Sequence, residues 1–155
     1  MSDLKKHIFS DQFISRVAEL LKDYVVPEKI DKFLFLLEDK TGQKFFSPSV
    51  EYNIQRLLET NYDRIGFVFD SFRYPHYTDI LVAIASSSNF LTEIVIKNPE
   101  YLYLILQPGK LSEEIIAKDL HKEIVSKVSR FSSFNSKLNI LKAFKRRYTL
   151  LTGMQ

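Results

Sequence analysis

The sequence predicts an all-α protein, an irregular helical bundle of roughly eight helices. Apolar residues recur at helical spacing in segment after segment, and Ser, Asn and Pro punctuate the joins. The single β-prone stretch has no second strand-like run to pair with.

Asp11 can cap a first helix that carries Phe13, Ile14, Val17, Leu20 and Leu21 on one face. Pro27 suits a first helical position, and Ile30, Phe33, Leu34 and Leu37 follow it as an apolar stripe that ends near Thr41 and Gly42. Ser47-Pro48 repeats the cap-then-proline start and leads into Tyr52, Ile54, Leu57 and Leu58, with Asn61 as the stop. Residues 65–69 (IGFVF) contain the residue types of a strand, but without a partner a buried helical segment is favoured. Pro75 opens a helix through Ile80, Leu81 and Ile84 that closes in Ser86, Ser87 and Ser88. Ser88 then caps residues 90–97, and Asn98-Pro99 ends that helix and starts the next, 100–106. Gln107-Pro108-Gly109 is a loop. Ser112, with Glu113 and Glu114 favourable at a positive helix end, begins a helix through Leu120, Ile124, Val125, Val128 and Phe131. The terminal helix, 138–155, is basic and amphipathic: Ile140, Leu141, Phe144, Tyr148 and Leu151 gather on one side, Lys142 and Arg146 lie opposite, and Lys145 and Arg147 flank them.

At 155 residues the chain suits a single helical module, 1–155, divisible into sub-lobes 1–73 and 74–155. Thirteen Phe and eight Tyr supply core anchors. The absence of Cys excludes a disulfide framework and a Cys-based zinc site and fits a reducing compartment. The N-terminus lacks the apolar run and cleavage site of a secretory signal, and no apolar run approaches the roughly 20 residues of a bilayer span. The expectation is a cytoplasmic domain without a membrane partner. Charge is uneven. Residues 118–155 hold nine Lys/Arg against Asp119 and Glu123, a balance of +7, which leaves 13 basic and 17 acidic groups, or −4, in residues 1–117. A solvated face explains such patterning most simply; a docking face is the functional alternative.

Catalytic chemistry is hard to assemble from these residues. His7, His76 and His121 are far apart and match no metal-ligand spacing. Nucleophilic catalysis has no Cys, and the serines sit where helix caps belong. The Ser86–Ser88 turn has neither the glycines nor the lysine of a phosphate cradle. Glu113 and Glu114, adjacent on a helix, would point about 100° apart. The reading assigns no catalytic, cofactor-binding or metal residue to this chain. Lys142, Lys145, Arg146 and Arg147 are the candidate interface, able in principle to meet phosphates, but Phe144 and Tyr148 read better as core anchors than as base-stacking platforms. Nucleic acid is therefore the least favoured partner.

Two stretches together resemble a known family. Ser86-Ser87-Ser88-Asn89-Phe90-Leu91, then Ile94, Val95, Ile96 and Lys97-Asn98-Pro99-Glu100-Tyr101-Leu102, is similar to the G-x-S-x-F-L…H/N-P-E-x-L segment of glutamine synthetase adenylyltransferases. Leu141-Lys142-Ala143-Phe144-Lys145-Arg146-Arg147-Tyr148 resembles the L-R-x-F-R-R helix that follows it there. Ser86 stands where the family has glycine, and Leu151-Thr152 replace an Arg-Ile pair. The resemblance implies a non-catalytic N-terminal helical module, truncated before a nucleotidyltransferase domain that would use ATP and Mg²⁺ to move AMP to or from glutamine synthetase. Its partners would be that downstream domain, glutamine synthetase itself or another acidic surface. Ser88, Phe90, Leu91, Asn98, Pro99, Glu100, Leu141, Phe144 and Tyr148 would be structural, with Asn98 capping the helix that Pro99 and Glu100 begin. The alternative is a stand-alone helical interaction module that docks through its basic helix.

Overall fold

The computed structural model describes residues 8–42 and 48–155, and within them the protein is all-helical, with nine helices and no strand. His7 and Ser47 lie outside the described residues. The helices are α1 (Asp11–Leu21), α2 (Pro27–Gly42), α3 (Pro48–Thr60), α4 (Arg64–Arg73), α5 (His76–Ser87), α6 (Asn89–Lys97), α7 (Glu100–Leu106), α8 (Ala117–Ser129) and α9 (Phe134–Met154). No helix among the described residues is long and apolar enough to cross a membrane.

The chain forms two compact units, Met1–Glu100 and Tyr101–Gln155. The division thus falls at residue 100 and not at 73, because α5 packs on α2, α3 and α4 and belongs with them. In the first unit α5 is the central element and also contacts α6. Its HYTDILVAIASS sequence is apolar over most of its circumference, and Thr78, Leu81, Val82, Ile84 and Ala85 are all buried. Around it sit Phe33 of α2, Ile54, Leu57 and Leu58 of α3, and Phe67 and Val68 of α4. Phe33 and Phe67 meet edge-to-face at 6.4 Å, a favoured aromatic geometry. The buried Asn53 of α3 donates through Nδ2 to the Ala85 carbonyl (3.0 Å) and to Asn89 Oδ1 (2.9 Å). The Thr92 hydroxyl donates to the Ile84 carbonyl at 3.1 Å. These bonds use polar groups at the α5–α6 corner that burial would otherwise leave costly.

The 65–69 stretch is helical, inside α4, whose start is set by a residue the sequence reading passed over. Asp63 Oδ1 accepts from the Gly66 amide at 2.8 Å, and Asn61 Oδ1 accepts from the Asp63 amide at 2.9 Å, so the stop and the next start form one turn. Three other caps differ from expectation. Ser10, not Asp11, caps α1, accepting from the Phe13 amide at 3.2 Å, and Asp11 is the first helical residue. Ser112 caps no helix: its hydroxyl donates to the Gly109 carbonyl, Glu113 pairs with Lys110, and α8 starts at Ala117 behind Ile116. Asn98 serves the end of α6, with Nδ2 donating to the Ile94 carbonyl at 2.8 Å, and does not cap α7.

In the second unit α8 and α9 pack on each other, and α7 is tied to α9 by the Tyr101 hydroxyl, which donates to the Ala143 carbonyl at 3.2 Å. α8 has no fully buried residue, and Ile124 and Val128 are only half-buried. α9 starts at Phe134, four residues before the expected 138, and runs 21 residues with Leu150 and Leu151 as its buried positions.

Candidate functional site

α9 carries the four cations singled out from the sequence, and the structure divides them. Arg147 is half-buried; its guanidinium pairs with Glu123 of α8 at 3.7 Å and lies 5.5 Å from the Tyr148 ring centre. It is part of the α8–α9 junction and drops out of the candidate interface. Lys142, Lys145 and Arg146 are exposed and have no ion-pair or hydrogen-bond partner among the described residues.

The sorting follows from Glu123. Its carboxylate accepts from Lys127 Nζ at 2.6 Å, one turn along α8, and from the Tyr148 hydroxyl across the helix pair. Burial works against its charge, but the hydrogen bonds from Lys127 and Tyr148 and the nearby Arg147 charge together hold it below the ordinary carboxylate value. Burial, then the Glu123 hydrogen bond and charge, push the Tyr148 phenol up to about 12. This arrangement consumes two of the unit's cations and leaves the outer face of α9 unneutralised.

The expected apolar stripe of α9 turns inward except at Leu141. Phe144, Tyr148 and Ile140 are half-buried and Leu151 is buried, but Leu141 is 45% exposed and Phe134 75% exposed. Leu141 therefore shares the outer face with Lys145 and does not anchor the α8–α9 junction. Of the structural residues expected around the Ser88 turn, Ser88 caps α6 by accepting from the Phe90 amide (3.1 Å), and Leu91 and Pro99 are buried. Phe90, by contrast, is 62% exposed, and Glu100 is exposed in the first turn of α7. His76 meets the rings of Tyr74 and Tyr77 edge-on, and His121 is exposed on α8.

A depression of about 110 Å³ in the second unit is bordered by Lys110, Glu113, Glu114, Asp119 and Tyr148. No group of three or more His, Cys, Asp or Glu side chains that could hold a metal ion occurs among the described residues. Sequence reasoning missed the Glu123 cluster. The Glu123–Lys127 spacing is legible as an i,i+4 pair, whereas Tyr148 and Arg147 reach Glu123 only through the packing of two helices. No protein-family model, no curated protein and no solved structure matches this chain.

Proposed function

We propose that this chain is a helical protein-interaction module that docks an acidic protein surface on the outer face of α9. The carrying observation is that Lys142, Lys145 and Arg146 are exposed with no partner among the described residues, while Lys110, Lys127 and Arg147 of the same unit are taken up in internal ion pairs. Charges left open on one helix face steer and select a partner more than they stabilise a fold.

The test is binding of a fluorescent 20-residue glutamate peptide to the full chain across a salt series. Affinity is expected to fall with ionic strength and to drop at least ten-fold in the Lys142→Glu/Lys145→Glu/Arg146→Glu variant, at unchanged helicity. An oligothymidine of equal charge serves as the competitor. Tighter binding of the oligothymidine would favour a nucleic-acid partner instead, and no binding of either would reject the docking face.

The likeness to glutamine synthetase adenylyltransferases supports a narrower reading. It rests on residues 86–102 and 141–148, and in it the docked surface belongs to a downstream nucleotidyltransferase domain or to glutamine synthetase, with ATP and Mg²⁺ bound by that domain. Coding sequence beyond Gln155 that contains a Gly-Ser…Asp-x-Asp segment would support this reading, and a stop codon there would remove it.

A further inference from the structure

The outer face of α9 has a second regularity beside its charge. Phe134, Leu138, Leu141, Lys145, Tyr148 and Thr152 follow one another at spacings of four, three, four, three and four residues, with Tyr148, whose hydroxyl is held by Glu123, on the edge nearest α8. Such alternation keeps six side chains in one seam along a helix, the pattern by which one helix receives the knobs of another. The first half of the seam is apolar: Phe134 and Leu141 are exposed and Leu138 is half-buried. The second half runs along an open depression bordered by Lys145, Tyr148, Thr149 and Thr152. Lys137 and Lys142 flank the seam on opposite sides, and Lys145 lies within it. Acidic residues are absent from α9 altogether.

Resting on the docking role proposed above, we infer that the partner element is an acidic amphipathic α-helix, which lays apolar residues along Phe134, Leu138 and Leu141 and carboxylates against Lys137, Lys142 and Lys145. A helix is the occupant because the seam has the 3–4 periodicity of helix-on-helix packing. It is acidic because every charge on α9 is positive. The same fact disfavours a second copy of α9: in either orientation lysines and arginines would face one another, and Lys145 would occupy a seam position with no carboxylate to meet it. An acidic helix satisfies the apolar and the charged halves of the face together.

The experiment uses the full chain and two 21-residue peptides of identical composition. One places Leu at seam spacing with Glu on both flanks and opposite Lys145; the other scrambles the order. The patterned peptide is expected to bind at least ten-fold more tightly than the scrambled one and to gain helicity on binding. Leu141→Asp should erase that preference while leaving the thermal transition of the free chain in place, since Leu141 is half exposed. Phe134→Ser, at a still more exposed position, supplies a second variant. Equal binding of both peptides would overturn the helix inference and leave the acidic docking face standing. Binding of neither would overturn both. Preferential binding to phosphatidylserine vesicles would assign the seam to a lipid surface, and a Leu141-dependent dimer in sedimentation would assign it to a second copy; each rejects the acidic helix.

Discussion

Glu123 and Tyr148 show how one half-buried contact shifts the titration of both partners. The Tyr148 phenol ionises near 12 in the folded chain against an ordinary value of 10, so folding holds its proton more tightly than the unfolded chain does. The stability this supplies is complete below pH 10 and is lost as pH rises through 12. Wild-type protein should therefore lose more stability between pH 10 and 12 than Tyr148→Phe, measured by denaturant melts, and the difference ultraviolet titration of the two should isolate one late phenol. Glu123 has the opposite sign. Its lowered value supports the fold above the ordinary 4.5 and loses that support as pH falls through the folded value, an acid-side dependence that Glu123→Gln should remove. Asp63 and Gly66 form another coupled pair. A Cβ on residue 66 would lie 2.2 Å from Asp63 Oδ2, so Gly66→Ala must displace the very side chain that caps α4. Asp63→Ala alone should cost about 1 kcal/mol. Gly66→Ala should gain about 1 kcal/mol from helix propensity only when Asp63 is already absent. Chemical denaturation of the four-member cycle should show a coupling on the order of 1 kcal/mol.

At the level of helices, periodicity located the elements and missed their faces and edges where neighbours decide. Ile30, Phe33, Leu34 and Leu37 were readable as a core stripe and are all buried, as are Ile54, Leu57 and Leu58. The buried residues of each of these helices share one face, so the wheel alone defines it. The terminal helix resisted the same reading because Phe134, Leu138, Leu141, Phe144, Tyr148 and Leu151 span more than one face. Which of them turns inward depends on α8, whose own start is displaced by the Lys110–Glu113 and Ser112–Gly109 contacts. Cap choice failed for a related reason: Ser10 and Asp11, or Asn61 and Asp63, offer equivalent side-chain acceptor oxygens in sequence and are separated only by backbone path. The candidate site was legible as four basic residues, but the removal of Arg147 from it required Glu123 on another helix. These faces can be weighed by truncation. Leu57→Ala in the core should cost roughly 2–5 kcal/mol. Leu141→Ala on the outer face should cost less than about 1 kcal/mol, checked by urea denaturation.

For the molecule as a whole, the arrangement around α5 determines which pieces can stand alone. α2, α3, α4 and α6 each pack on it, and its residues Leu81, Val82 and Ile84 close the centre of the first unit. A fragment of residues 1–100 should give a cooperative thermal transition by circular dichroism, whereas a fragment of residues 1–73, which lacks α5, should not, although both contain α2, α3 and α4. The order of the helices along the chain has a further consequence during synthesis. A growing polypeptide presents the apolar sides of α2, α3 and α4 before the helix that covers them has been made. Until residue 87 has cleared the ribosomal tunnel, Phe33, Leu57 and Phe67 lack the α5 side chains that close the centre of the unit, and the nascent chain carries that apolar surface uncovered.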